Sequence, residues 1–214
     1  MININNIFKL YYEWWKNIDK FIFILIVSMF LLGLFFSLVS TSIIASDKLD
    51  TNTYYFFIKH LIFIFLAIFL LIGFSFLSQK KIYKLSKIFF VITFFFLILV
   101  SFIGTEVKGS TRWLDLPFIP RFQPIELLKP FFIIVIASVL SLEQYKNIYL
   151  KYFFSLLIIF PIIILLIAQP DIGQTLLIIL IWFSLIFVSG MNLIFFFSFL
   201  GLVSIVLSYI IFFV

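Results

Sequence analysis

The chain contains no cysteine, so disulfides, thiolate metal sites and cysteine nucleophiles are excluded. A single histidine, His60, excludes a multi-histidine metal centre. Charge is scarce as well: only 11% of the 214 residues are Asp, Glu, Lys or Arg, too few to cover a soluble globule of this size. What is present is apolar. Hydrophobic residues make up 65% of the chain, and 34 of its residues are Phe. A mean hydropathy of +1.31 marks an integral membrane protein. In a soluble domain the net charge of +6 would suggest a nucleic-acid partner. Here the charges fall in short segments between long apolar runs, so they read as topology signals and contacts with membrane lipids, and no nucleic acid is expected.

A helix needs about 20 apolar residues to cross the hydrocarbon core. On that measure residues 1–20 form a cytoplasmic or interfacial N-terminus, and residues 21–214 one polytopic membrane domain. Spans are expected at approximately 21–46, 60–79, 88–105, 123–142, 152–170, 172–189 and 193–214. The expected fold class is therefore all-α, with about seven transmembrane helices. The first run, Phe21 to Ser46, is longer than a signal-peptide core and lacks a small-x-small cleavage site, which makes it a retained span. The last long uncharged run divides at Ser189-Gly190-Met191-Asn192, a sequence with turn chemistry. Nine basic residues fall on the N-terminal side of the membrane (Lys9, Lys16, Lys20, Lys80, Lys81, Lys84, Lys87, Lys146 and Lys151). Five fall on the other side: Lys48, Lys59, Lys108, Arg112 and Arg121. That asymmetry orients the N-terminus toward the cytoplasm. Tyr11, Tyr12, Trp14 and Trp15 suit an interfacial belt or a short surface helix before the first span.

The polarity that remains is concentrated. Gly104 to Pro130 carries seven charged residues, in the outer loop between the third and fourth spans and at the start of the fourth. Lys108, Arg112 and Arg121 surround Trp113 there. Guanidinium groups bind phosphate oxygens in a bidentate manner, and indole offers a flat face to a sugar or an acyl chain, so this set suits an anionic amphiphilic headgroup. It also suits an ordinary interfacial loop neutralised by Glu106 and Asp115. Gln123-Pro124-Ile125-Glu126 opens the fourth span with normal helix-start chemistry. Lys129 lies three residues beyond Glu126 on the same helical face, where an ionisable side chain entering the bilayer must be paired or wet. Pro130 behind it favours a kink, as does Pro161 in the fifth span. Between spans five and six, Gln169-Pro170-Asp171-Ile172-Gly173-Gln174 has two readings: a helix cap with Gln174 at the capping-box position, or a substrate-facing rim. The two roles are compatible. His60 reads as an interfacial residue.

Taken together, Lys108-Gly109 with Arg112-Trp113, Gln123-Pro124 with Glu126 and Lys129, and Gln169-Pro170-Asp171 with Gly173 resemble the SEDS family of bacterial cell-wall polymerases, whose members include FtsW and RodA. Several segments look more like FtsW, of the alphaproteobacterial type. These are Trp14-Trp15 with Asp19, Glu106-Val107-Lys108-Gly109, Leu116-Pro117, Lys129-Pro130 and Asp171-Ile172-Gly173-Gln174-Thr175. Arg112-Trp113-Leu114-Asp115-Leu116 leans toward RodA. The resemblance covers the N-terminal seven of the family's usual ten helices. It implies that the catalytic aspartate, in a large outer loop after the seventh span, lies beyond Val214, and that the chain is shortened before that loop. Ile125 stands where the family typically has Ser.

The resemblance implies a peptidoglycan glycosyltransferase that polymerises lipid II during cell division, in the bacterial cytoplasmic membrane. Implied ligands and partners are lipid II, glycan linked to undecaprenyl pyrophosphate, a class B penicillin-binding transpeptidase and division proteins. No catalytic residue is expected within the chain. The expected substrate-binding set is Lys108, Arg112, Trp113, Arg121, Gln123, Glu126, Lys129, Gln169 and Asp171. No cofactor is identifiable; a divalent cation could assist the diphosphate, although no residue specifies one. The same polar residues fit two alternatives, a flippase for a lipid-linked precursor and a non-catalytic membrane scaffold of the division machinery.

Overall fold

The computed structural model describes residues 4–42, 54–107, 109–117, 119–142, 147–194, 196–198, 201 and 205. These fall into two compact units, residues 1–78 and 79–214. In the first, α1 (Ile4–Asn17) precedes α2 (Lys20–Phe36), which continues into a π-helical segment, Ser37–Ser42, and α3 (Tyr55–Ser75) follows. Asp19 caps α2 by accepting from the N–H groups of Phe21 and Ile22, at 3.0 and 3.1 Å. No residue of α2 or α3 is buried, as expected of helices whose side chains meet lipid. Trp14 makes a buried contact in this unit. Its indole N–H donates to Ser75 Oγ at 2.6 Å, and its ring stacks on Phe76 with centroids 5.5 Å apart.

The second unit contains α4 (Gln79–Ile103), a small sheet, α5 (Pro124–Leu140), α6 (Ile148–Ala168) and α7 (Ile172–Val188). Among the described residues four helical stretches, Lys20–Val39, Tyr55–Ser75, Gln79–Ile103 and Ile148–Ala168, are long and apolar enough to cross a membrane, and α7 is a shorter apolar helix. The protein is an all-α membrane protein with one β insertion. Its core is a stripe on α5, formed by Leu128, Phe132, Ile136 and Leu140, which recur every four residues and so share one face. The stripe meets Leu97 of α4, Ile159, Ile162 and Leu166 of α6, and Ile178 and Ile186 of α7. Helices α5 and α6 run on through Pro130 and Pro161 without a break in their assigned spans. Two side-chain hydrogen bonds pin the bundle: Trp182 Nε1 donates to Ser155 Oγ at 3.0 Å, and Gln169 Nε2 donates to the Leu97 carbonyl at 3.1 Å. The seventh expected span, 193–214, falls mostly outside the described residues.

The segment expected as a charged loop folds instead into an antiparallel meander. It comprises β1 (Thr105–Val107), β2 (Ser110–Leu116) and β3 (Ile119–Phe122), in the order β1-β2-β3. Thr105 pairs with Trp113 and Val107 with Ser110 across the first ladder, and Leu114 pairs with Phe122 across the second. Gly109, at φ 81°, supplies the left-handed residue that the tight β1–β2 turn requires. The sheet lies on α4 and α5 and is held there by Leu114, which is fully buried.

Candidate functional site

Strand periodicity positions Arg112. In β2 the buried residues are Ser110 and Leu114, so the residue between them at period two faces the helices as well. Arg112 Nη1 lies 3.5 Å from Asp171 Oδ1, and its Nε donates to Ser110 Oγ. Asp171 is 3% exposed, and a carboxylate so buried is costly unless paired and hydrogen-bonded. The structure supplies the partners. Gln123 Nε2 donates to Oδ2 at 3.2 Å, and the Gln174 N–H donates to Oδ1 at 3.4 Å as the cap of α7. The Asp171 carbonyl accepts from the Thr175 N–H and Oγ1, at 3.0 and 2.8 Å. Asp171 thus caps a helix and pairs with a guanidinium at the same time.

Beside it, three side chains close a ring. Lys129 Nζ lies 2.6 Å from Glu126 Oε2, the i,i+3 pair on α5. Gln174 Oε1 accepts from Lys129 Nζ at 3.0 Å, while Gln174 Nε2 donates to Glu126 Oε1 at 2.7 Å. Lys129 is 15% exposed and Glu126 is 49% exposed, so the ring has a half-buried base and an open lip. Gln174, which the sequence allowed as a helix cap or part of a substrate-facing rim but which was absent from the expected substrate-binding set, joins the cluster. Its spacing from Asp171 suggested a capping box, but its side chain crosses to α5 instead of returning to the Asp171 N–H. No local pattern signals a contact between residues 45 and 48 positions apart.

The other expected site residues sit around this cluster. Gln169 is buried, and its amide joins α6 to α4 through Leu97 O and, at 3.4 Å, Ser101 Oγ. The Arg121 guanidinium stands 5.6 Å from the centre of the Trp113 ring, a cation–π contact, and Nη2 donates to Thr105 Oγ1. Arg112 and Arg121 therefore have separate partners. Lys108 lies outside the described residues. Ile125 is buried in the α5 core, so a side chain there serves packing and adds no hydroxyl to the cluster. Among the described residues no group of three or more His, Asp or Glu could hold a metal ion. Chemically, the arrangement leaves part of Arg112 and of Glu126 exposed beside a buried, fully partnered Asp171, while Arg121 is exposed on β3 with its own partners.

Residues 19–214 match the family model FTSW_RODA_SPOVE, described as cell cycle protein. The protein named probable peptidoglycan glycosyltransferase FtsW of Wigglesworthia glossinidia brevipalpis is 31% identical over 177 residues, covering 82% of this chain and 46% of the relative. That of Buchnera aphidicola subsp. Acyrthosiphon pisum, which bears the same name, is 35% identical over 176 residues, covering 80% of this chain and 43% of the relative. The chain thus spans about half the length of the curated relatives it matches. In fold it is similar to the crystal structure of the Thermus thermophilus rod shape determining protein RodA, with a TM-score of 0.71 at 22% identity, over 90% of this chain and 60% of that one. It is also similar to a chain of a peptidoglycan synthase complex, solved for its coordination of polymerization and crosslinking. There the TM-score is 0.58 at 24% identity, over 82% of this chain and 52% of that one. The chain belongs to the FtsW/RodA/SpoVE family of cell cycle proteins.

Proposed function

We propose that the protein polymerises glycan strands from lipid II at the outer face of the bacterial cytoplasmic membrane, with its N-terminus in the cytoplasm, and that the polar cluster of α5, α7 and β2 lines the reaction site. The observation that carries this reading is the joined set Arg112–Asp171–Gln123 and Glu126–Lys129–Gln174 at one end of the bundle, in a chain whose relatives are named peptidoglycan glycosyltransferases. In the reaction a sugar hydroxyl of the acceptor attacks the anomeric carbon of the lipid-linked donor strand, the bond to the pyrophosphate oxygen breaks, and undecaprenyl pyrophosphate departs. Negative charge rises on the leaving group, and fixed cations held near it stabilise that change without reorganising. Arg112 is suited to this role because its position is fixed by Asp171 and Ser110 while 37% of its side chain remains open. Arg121 and Trp113 together present a charge and a flat apolar face, which suit the pyrophosphate and the adjoining prenyl or sugar group.

Both carboxylates of the cluster are already engaged, Asp171 with Arg112 and Glu126 with Lys129, so they order the site and neither is the free base for the acceptor hydroxyl. That role falls to the aspartate which the family resemblance places in a loop after the seventh helix. The fold shared with a chain of a peptidoglycan synthase complex supports a class B penicillin-binding transpeptidase as partner. The test is to supply lipid II to the full-length protein in detergent, where no second compartment exists. Glycan polymer is the expected product. Absence of polymer together with movement of lipid II across liposomes would replace this reading with the flippase.

A further inference from the structure

We infer that the cleft between α2 and α3 binds the phosphate-bearing headgroup of an anionic membrane lipid. This inference stands apart from the polymerase reading, because every residue it uses lies in the first unit. The cleft has a volume of about 510 Å³ and is lined by Gly33 and Phe36 of α2 and by Phe56, Lys59, His60 and Phe63 of α3, with Ser37 at the start of the π-helical segment. That volume is within the range of small-ligand pockets.

Its chemistry is one-sided. Phe56, Lys59, His60 and Phe63 recur at helical spacing and so share one face of α3. Among the described residues neither Lys59 nor His60 has a hydrogen-bond or ion-pair partner, and no described carboxylate lines the cleft. Lys129 is the contrasting case, since it enters its span already bonded to a carboxylate and an amide. A lysine in an apolar helix without a protein partner requires water or an external anion. Lys59 and His60 are the fifth and sixth residues of α3, roughly 6 to 8 Å along its axis, the depth at which headgroup meets acyl chain.

The shape of the cleft is built by α2. Gly33 leaves the space opposite His60 open: a Cβ there would lie 3.5 Å from His60 Nε2, so alanine fits, whereas a longer side chain would occupy the cleft. The helix changes to the wider π form from Ser37, at the cleft's edge, a departure often found at functional sites. Phe36, Phe56 and Phe63 add apolar surface to the lining of the open cleft beside the cation. A free phosphate ion gains nothing from such surface. A diacyl lipid gains burial for the first carbons of its chains as well as a charge for its phosphate, and this selects the lipid over the free ion.

The test is made on the full-length protein in nanodiscs of equal phosphatidylglycerol and phosphatidylcholine, with retained lipid counted by native mass spectrometry after release. Preferential retention of phosphatidylglycerol is expected, unaffected by added inorganic phosphate. Lys59→Gln with His60→Gln should lower it about fivefold, the effect of one lost cation near the membrane surface. Gly33→Leu should abolish it and Gly33→Ala should preserve it. Equal retention of the two lipids in the wild type would overturn the inference, as would complete displacement by inorganic phosphate. It would also be overturned if Lys59→Gln lowered thermal stability without changing lipid retention, because Lys59 would then be paired to another part of the protein.

Discussion

Replacing Asp171 by asparagine keeps an oxygen to accept the Gln174 N–H, and with it the cap of α7, but removes the charge that faces Arg112. Two unit charges 3.5 Å apart attract by about 1 kcal/mol in bulk water and about 5 kcal/mol at an effective dielectric near 20. Arg112 is 37% exposed, so solvent screening brings the pair to the lower part of that range, roughly 1 to 2 kcal/mol. Arg112→Ala alone should cost more, roughly 2 to 3 kcal/mol, because it leaves a buried carboxylate with only Gln123 and its own helix N–H. The double variant should be little worse than Asp171→Asn alone, since no charge is then stranded. Unfolding of the two single variants, the double variant and the wild type in mixed micelles measures the coupling directly, and about 2 to 3 kcal/mol is expected, because the double variant escapes most of the cost of Arg112→Ala. Strict additivity would refute the electrostatic account and leave Asp171 as a cap only. The same four proteins separate stability from function. Polymerisation by Asp171→Asn should fall at least tenfold at normal expression, whereas an unchanged rate would mean that the charge serves the fold alone.

Three further outcomes are expected. Gln174→Leu removes both side-chain bonds to α5 but keeps the N–H that caps α7. It should lower polymerisation about tenfold, equivalent to about 1.4 kcal/mol in the barrier, with little loss of thermal stability, while Gln174→Glu restores one bond to Lys129 and part of the rate. In Gly104→Ala the new Cβ would collide with the Val100 carbonyl and lie 3.0 Å from Val100 Cγ1, where α4 hands the chain to β1. A loss of about 2 kcal/mol and faster proteolysis within the sheet are expected. Trp182→Phe leaves the buried Ser155 hydroxyl donating to the Tyr152 carbonyl but removes the bond from α7, and should lower stability by about 1 kcal/mol in the same unfolding assay.

The helices were legible because a bilayer offers few alternatives: an apolar run of span length must satisfy its backbone internally. The sheet was not. Inward Ser110, Arg112 and Leu114 alternate with Thr111, Trp113 and Asp115, so both faces mix polar and apolar residues and the period-two signal cancels. That hidden alternation decides the site, since it turns Arg112 toward Asp171. The i,i+3 spacing of Glu126 and Lys129 could be read directly, as could the capping role of Asp171, because both are local. The bonds from Gln174 to α5 and from Gln169 to α4 were hidden because they depend on which helices become neighbours. That choice is made by the Leu128–Phe132–Ile136 stripe and by Ile125 beneath the cluster.

The most direct measurement of the polymerase reading is photocrosslinking of lipid II to the full-length protein with a photoreactive residue placed at single positions. Substitution at Arg121 or Gln123 puts the probe beside the cluster, while substitution at Tyr149 or Asn192 puts it at the opposite end of α6 and α7. Crosslinks at Arg121 and Gln123, reduced by excess undecaprenyl pyrophosphate and absent at Tyr149 and Asn192, are the predicted result. Equal labelling at all four positions, or labelling confined to Tyr149 and Asn192, would contradict the placement of the lipid-linked substrate at the cluster.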